Sequence, residues 1–152
     1  MSRIIISDTS CLIALAKIGE LDLLKDLFHE IIITKSVDEE YGEPLPDWIL
    51  ITDVKNRSKQ IELEKRLDRG EASSIALALE IENSTLIIDE IKGRKIAEAL
   101  QIDIIGTIGI ILLANKRGLI SNPLDLIHLL VKNGFRVSDK LLKMILERYG
   151  SR

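Results

Sequence analysis

Short apolar runs alternate along the chain with longer segments of mixed polarity. The runs "RIIIS" (3–7), "EIIIT" (30–34), "STLIID" (84–89) and "DIIG" (103–106) are typical of short buried strands, and "DWILITDV" (47–54) of an extended edge segment. Because helix-like segments separate these runs, we expect an α/β fold. The pattern predicts a doubly wound parallel sheet of four or five strands, covered by helices on both faces.

Apolar residues at helical spacing predict the intervening helices at 10–19, 20–28, 35–43, 55–70, 71–82, 92–101 and 107–118. The segment 55–70 is polar and predicts an exposed helix whose apolar contacts are Ile61, Leu63 and Leu67. The segment 107–118 is almost entirely apolar, which indicates a central helix.

A C-terminal helical extension follows this α/β pattern. Pro123 is expected at the first position of one helix and Ser138 at the N-cap of the next, while Gly134 between them fits a left-handed helix end. We detect no repeat and no linker. The sequence therefore predicts a single domain over 1–152, with a core at 3–120 and C-terminal helices at 122–149.

Composition narrows the class of protein. The chain has 152 residues, of which 46% are hydrophobic and 30% charged, as in ordinary globular domains. A net charge of −3 argues against a basic nucleic-acid coat, but not against an enzyme acting on nucleic acid. One cysteine excludes an internal disulfide and a cysteine-rich zinc site. With no signal peptide and no apolar run of membrane-spanning length, a cytoplasmic location and no membrane association are expected.

Acidic residues follow several predicted strands. Asp8 ends the first strand and Asp89 the strand at 84–89, and ligands of open parallel sheets collect at the carboxyl ends of strands. Glu40 lies on the helical turn after the second strand, and Glu71 opens the helix at 71–82. For Glu71 a favourable interaction with the helix dipole is an alternative explanation, and for Glu40 a solvated surface position.

Together the motifs "IIISDTSCLIALAKIG", "ITKSVDEEY", "DRGEASSIALALE" and "LIIDEIKGRKIAEALQIDIIGTIGIILLANKRGLI" resemble a PIN domain. The resemblance covers residues 3–120 and is strongest to the small prokaryotic branch related to VapC-type toxin ribonucleases. The tail "NGFRVSDKLLKMILERYG" resembles the end of that branch. The resemblance implies a metal-dependent ribonuclease acting on RNA, a homodimer and an antitoxin partner.

By this resemblance, Asp8, Glu40, Glu71 and Asp89 match the catalytic acids of the family. Asp8 and Asp89 would be the main metal ligands, with Glu71 and Glu40 completing the pocket directly or through water. Many relatives carry two successive aspartates where this chain has Asp89 and Glu90. Glu90 would therefore bind the metal through its longer side chain, or not at all.

An all-oxygen donor set fits Mg²⁺ or Mn²⁺ and argues against zinc. Two carboxylates ~4 Å apart repel by roughly 4 kcal/mol at an effective dielectric constant of 20. Four in one pocket would cost more than the ~5–15 kcal/mol by which a typical domain is stable, unless they are protonated or neutralised. We therefore expect the stability of the protein to depend on a bound cation.

Four further residues are candidates for supporting roles. Ser10 is expected to cap the first helix or to hydrogen-bond a metal ligand, and Thr107 to cap the helix that follows Gly106. Lys92 and Arg94 follow Asp89 and are candidates for binding substrate phosphates. The alternative for both cations is a solvated helix start.

Two other functions compete with a nuclease. A phosphoacceptor domain also places an aspartate after its first strand. However, a haloacid-dehalogenase-type phosphatase needs a second aspartate where Ser10 stands. A response-regulator receiver needs an acidic pair before its first strand-end aspartate and a lysine after a later strand, and the chain lacks this pattern. The second alternative is a catalytically inactive PIN-like module that binds or scaffolds a partner.

Overall fold

The computed structural model describes residues 3–150, so the two residues at each end of the predicted domain 1–152 lie outside the described residues. The strands are β1 (Ile4–Ser7), β2 (Ile31–Thr34), β3 (Ile49–Thr52), β4 (Ser84–Ile87) and β5 (Asp103–Ile105). They form one sheet in the order β3-β2-β1-β4-β5, and every neighbouring pair is parallel. The predicted α/β fold with a parallel sheet is confirmed, with five strands.

Helices connect the strands and cover the sheet. They are α1 (Thr9–Lys17), α2 (Asp22–Phe28), α3 (Lys35–Tyr41), α4 (Arg57–Glu64), α5 (Arg69–Glu80), α6 (Ile91–Ala99), α7 (Thr107–Lys116), α8 (Pro123–Lys132) and α9 (Asp139–Tyr149). None of those within residues 3–150 is long and apolar enough to cross a membrane.

The sheet is buried on both faces because successive side chains of a strand point to opposite sides. Ile5 of β1 packs with α1, α2 and α7, whereas Ile6 packs with α4, α5 and α6. These two aliphatic layers confirm the doubly wound arrangement. In α7, Ile110 faces the first layer and Ile108 faces a third cluster formed with α8 and α9, so the prediction that this helix is central is confirmed.

The order of the strands creates a crevice at one edge. The chain runs outward from β1 through β2 to β3, then crosses to β4 on the opposite side of β1 and continues to β5. The connections that leave β1 and β4 therefore diverge, which is where ligands bind in open parallel sheets. β1 and β4 run in register, with Ser7 opposite Ile87.

The region 55–70 differs from its prediction. The helix ends at Glu64, and residues 65–68 form a turn before α5. Leu63 and Leu67 are buried as predicted, but Ile61 is 61% exposed. Two residues along a helix correspond to a rotation of about 200°, so Ile61 faces away from the core when Leu63 faces into it.

The C-terminal extension begins and turns at the predicted residues. Pro123 is the first residue of α8, and Gly134 after it has a φ of 96°. The side chain of Ser138 accepts a hydrogen bond from the N–H of Leu141 and so caps α9. All three positions confirm the sequence analysis.

Candidate active site at the carboxyl edge of the sheet

Asp8 lies where β1 ends and α1 begins. Its Oδ1 accepts a hydrogen bond from the N–H of Cys11 at 3.3 Å, which makes Asp8 the N-cap of α1. The residue is 1% exposed, and Oδ2 has no hydrogen-bond partner within the described part of the chain. A carboxylate oxygen buried without a partner is costly unless the group is protonated or a cation binds to it.

Ser10 does not cap α1, contrary to the prediction. Asp8 has the extended backbone of an N-cap, and Ser10 is an exposed residue within the first turn of the helix. The cap forms at the residue that directly leaves the strand, where the chain is still extended.

Glu71 reaches the same region from α5. Asp68 caps this helix by accepting a hydrogen bond from the N–H of Glu71 at 2.8 Å. Glu71 is 8% exposed, and no described residue hydrogen-bonds its Oε2. Two neighbouring helix starts therefore each bury a carboxylate oxygen without a partner.

The acidic side chains interact electrostatically. Burial raises the pKa of Asp8 well above its usual value, and the charges of Asp89, Glu71 and Asp68 raise it further, against the opposing effect of the Cys11 N–H. Burial, then the charge of Asp68 and its hydrogen bond, and also the charge of Glu90, raise the pKa of Glu71 to about 7. The carboxylates thus converge on one site, and we call Asp8, Glu71 and Asp89 the acidic pocket.

Asp89 is held in this pocket by Thr107. Its Oδ1 accepts a hydrogen bond from the N–H of Thr107 at 2.7 Å, and its Oδ2 accepts one from the Thr107 hydroxyl at 2.5 Å. The prediction that Thr107 caps α7 is wrong, because the N-cap is Gly106 and Thr107 is the first helical residue. The hydroxyl instead orients a carboxylate, as groups behind metal ligands commonly do.

Three glycines give the acidic side chains their space. A Cβ at Gly93 would lie 3.0 Å from Glu71 Oε2, and one at Gly106 would lie 2.9 Å from Asp89 Oδ1. A Cβ at Gly70 would lie 2.8 Å from Glu40 Oε1, so the carboxylate of Glu40 reaches the first turn of α5 although the residue is otherwise exposed. Side chains at these positions would crowd the pocket.

Comparison with known families assigns the fold. A protein-family model described as DUF3368: PIN domain matches residues 4–151. The chain belongs to the PIN-domain family. No curated protein and no solved structure matched it. PIN domains are generally nucleases that use divalent metal ions and bind RNA. In this chain, Asp8 and Glu71 are buried acids at the carboxyl edge of the sheet.

The remaining predicted residues of this PIN domain surround the pocket. Glu90 is exposed at the N-cap of α6, close enough for its charge to raise the pKa of Glu71. Lys92 is exposed in the first turn of the same helix. One guanidinium nitrogen of Arg94 donates to the carbonyl of Ile88 at 2.8 Å, which ties α6 to the end of β4. Contact of Lys92 or Arg94 with substrate stays a prediction.

Sequence reasoning missed two polar residues of this site. Asp68 charges the pocket and caps α5, and the pattern "DRGE" was its signal, since an acid three residues before a glutamate marks a helix start. Thr9 is buried, its hydroxyl lacks a partner among the described residues, and a Cβ at Gly70 would lie 3.0 Å from it. Nothing in the sequence separates Thr9 from an ordinary first-turn residue.

The side chains suit a hard cation. The two partnerless oxygens, Asp8 Oδ2 and Glu71 Oε2, are carboxylate ligands of the kind that Mg²⁺ and Mn²⁺ prefer. Within residues 3–150, however, no three His, Cys, Asp or Glu side chains form a ready metal cage. Mg²⁺ is commonly held by one or two carboxylates with several waters, so an open site of this kind fits such an ion.

Proposed function

We propose that this PIN domain is a Mg²⁺- or Mn²⁺-dependent ribonuclease that hydrolyses phosphodiester bonds of RNA at the acidic pocket. The observation that carries the proposal is the pair of buried carboxylate oxygens without partners, Asp8 Oδ2 and Glu71 Oε2. Membership of a family of nucleases supports the same reaction class.

In this proposal Asp8, Asp89 and Glu71 hold the ion, directly or through water. A bound divalent ion would lower the pKa of a water and neutralise charge on the phosphoryl oxygens. Thr107 fixes the orientation of Asp89 through its two hydrogen bonds. Glu40, beside Gly70, and Glu90, at the start of α6, extend the negative rim.

Glu71 is the proposed proton acceptor. Without a bound ion, burial and neighbouring charges raise the pKa of Glu71 to about 7, so a substantial fraction of Glu71 is ionised at neutral pH. Asp8 is more deeply buried and already accepts a hydrogen bond from Cys11 through Oδ1. Its role is that of a fixed anchor for the ion, whereas Glu71 holds the ion through the attacking water and takes a proton from that water through Oε2.

The experiment incubates the purified protein with single-stranded and structured RNAs in Mn²⁺, Mg²⁺ or EDTA. Asp8→Asn and Asp89→Asn are compared with Asp125→Asn, which changes an exposed acid of α8 outside the pocket. Cleavage should require the metal, fall sharply in the two pocket variants and persist in the control. Cleavage that ignores EDTA and both pocket substitutions would refute the mechanism, and binding of RNA without cleavage would favour an inactive binding module.

The resemblance to VapC-type toxin ribonucleases supports a finer proposal, that the nuclease is a toxin blocked by an antitoxin and acts as a homodimer. Expression of the chain alone should then arrest growth, while expression of Asp8→Asn should not. Light scattering of the purified protein would measure the dimer. Growth unaffected by an active nuclease would remove the toxin role and leave the reaction intact.

A further inference from the structure

A second polar cavity lies at the same edge of the sheet, beyond the ends of β2 and β3. Its volume is about 60 Å³, and its lining includes Lys35, Arg57 and Arg69. We call these three cations the basic pocket. Water needs roughly 15 Å³ of such volume, so the cavity has room for a phosphate group.

The three cations have no partners of their own within the described chain. Ion pairs there join Arg3 to Asp103 and Lys59 to Glu62, and no hydrogen bond from the side chains of the basic pocket is formed within residues 3–150. Two acids, Glu39 and Asp53, also line the cavity but pair with none of the cations. The positive side chains outnumber them, which leaves an attractive site for an anion.

The position of the cations runs against helix electrostatics. Arg57 is the first residue of α4, and Arg69 is the first residue of α5. Because the N-terminal end of a helix carries partial positive charge, acidic residues are favoured there and cations are not. A bound anion would relieve this repulsion as well as pair with the side chains.

The first turn of α5 joins the two pockets. Arg69 lines the basic pocket, whereas Glu71, two residues later, belongs to the acidic pocket. Behind Arg69, the hydroxyls of Ser73 and Thr34 are 2.6 Å apart and Ser73 donates to the carbonyl of Gly70. Two residues along a helix correspond to about 3 Å of rise and a rotation of about 200°, so the two pockets lie on opposite sides of the first turn of α5, a short step along a nucleic-acid backbone.

We propose that Lys35, Arg57 and Arg69 bind a backbone phosphate of the RNA strand next to the phosphate that is cleaved. This inference rests on the proposed ribonuclease function, which it deepens by giving the strand a path across the sheet edge. Arginine presents a planar fork that matches phosphate oxygens, so two arginines and a lysine suit a phosphodiester. Interactions with phosphate position the strand without selecting its sequence.

The test measures binding of a fluorescein-labelled single-stranded RNA of mixed sequence in EDTA at about 50 mM salt. The triple variant K35Q/R57Q/R69Q is compared with K132Q/K140Q/K143Q, which removes the same charge from exposed positions of α8 and α9. Glutamine keeps a long side chain and helix propensity. The pocket variant should bind about tenfold more weakly. Its slope of log K against log salt should be shallower by about 0.7 for each phosphate charge that the variant no longer neutralises.

Thermal melts exclude a purely structural role. If the cations served internal contacts with Glu39 and Asp53, the pocket variant would melt at a lower temperature than the control variant, and the proposal would be overturned. We expect an equal or higher melting temperature, because two helix starts lose an unfavourable charge. A further measurement adds inorganic phosphate to the melts of wild type. If phosphate raises the melting temperature while both triple variants bind RNA equally well, the basic pocket binds free phosphate and the contact with RNA is refuted.

Failure of this proposal is distinguishable from failure of the ribonuclease. Metal-dependent cleavage together with equal RNA binding by both triple variants would refute the phosphate contact at the basic pocket and leave the ribonuclease proposal standing. Weaker RNA binding by the pocket variant, without cleavage of any RNA in Mn²⁺, would support the phosphate contact and refute the nuclease. Absence of RNA binding by wild type would overturn the phosphate contact directly.

Discussion

The acidic and basic pockets meet at the first turn of α5 but differ in how their charges are exposed. Asp8 and Glu71 are buried with partnerless oxygens, whereas Arg57 and Arg69 are exposed to water. Burying an unpaired carboxylate costs several kcal/mol, while exposed cations are screened by solvent and salt. The fold therefore gives up stability mainly in the acidic pocket, as expected of a site that must fix an ion in one place.

The largest effect is expected for Asp8→Asn. The substitution keeps an oxygen for the Cys11 N–H, since asparagine is an equally good N-cap, but removes a charged metal ligand. A bound metal ion stabilises the transition state by several kcal/mol, so its loss should lower the rate of RNA cleavage about 100- to 1,000-fold. Single-turnover cleavage in Mn²⁺ measures it.

The same variant separates the cost of burial from damage to the fold. In EDTA, Asp8→Asn should gain stability against urea relative to wild type as the pH rises, because ionisation of Asp8 leaves a buried charge without a partner, whereas asparagine stays neutral. The difference should shrink at low pH, where wild-type Asp8 is protonated in the fold. A metal-free variant less stable than wild type at pH 8 would show that Asp8 is structural.

Thr107→Val should have the next largest effect. It removes the hydroxyl that donates to Asp89 Oδ2 but keeps the backbone N–H that donates to Oδ1. Loss of a group that orients a metal ligand typically costs 10- to 100-fold in metal affinity, which titration of Mn²⁺ against cleavage rate or calorimetry would measure.

Thr9→Val is the matched control for Thr107→Val. Thr9 is also buried, but its hydroxyl has no partner among the described residues. An apolar replacement of the same shape should therefore leave the free energy of unfolding unchanged or raise it, and leave the metal affinity unchanged. Equal losses of metal affinity in the two variants would mean that packing, not the hydrogen bond to Asp89, controls the site.

The pH dependence tests the acidic pocket directly. The pKa of Glu71 rises from its usual 4.5 to about 7, so between these values the folded protein holds a proton that the unfolded chain has released. The contribution of Glu71 to the stability of the metal-free protein should therefore fall as pH rises through this window and level off above it. Metal binding displaces the proton, so Mn²⁺ affinity should rise about tenfold per pH unit below 7 for each proton released.

Urea unfolding from pH 5 to 8, in EDTA and in saturating Mn²⁺, measures both effects. Glu71→Gln is the control, because it removes the proton at issue and should abolish the part of the metal-free curve that comes from Glu71, leaving only the contribution of Asp8. Stability of the metal-free wild type that increases steadily over this range would contradict the raised pKa.

The sequence could predict the sheet and the strand-end acids because both follow from local pattern. Isoleucine runs bounded by polar residues specify buried strands, and parallel strands bring their carboxyl ends to one edge. Asp8 and Asp89 lie beside each other because β1 and β4 are neighbours at the point where strand order reverses. The choice of Asp8 over Ser10 as the helix cap depended on where the strand ends, which "SDTS" leaves open.

Other features of the site depend on tertiary contacts that no local pattern records. Thr107 orients Asp89 across 18 positions of sequence, and Gly93 gives space to Glu71 from another helix. The same holds for the basic pocket, whose cations come from three separate helices and look like ordinary solvated charges in the sequence.

Gly70→Ala should have the smallest effect, and it tests whether the acidic and basic pockets act independently. Alanine favours the helix by up to about 1 kcal/mol, but its Cβ would lie 2.8 Å from Glu40 Oε1. Because that oxygen is the far end of a flexible side chain, Glu40 should move away at little cost in stability. If Glu40 completes the acidic pocket, this movement should lower the rate of RNA cleavage in Mn²⁺ only about three- to tenfold. Affinity for RNA in EDTA should not change, since Arg69 remains on the other side of the turn. A variant that loses RNA affinity but keeps its metal affinity would reverse this assignment and place Gly70 in the basic pocket.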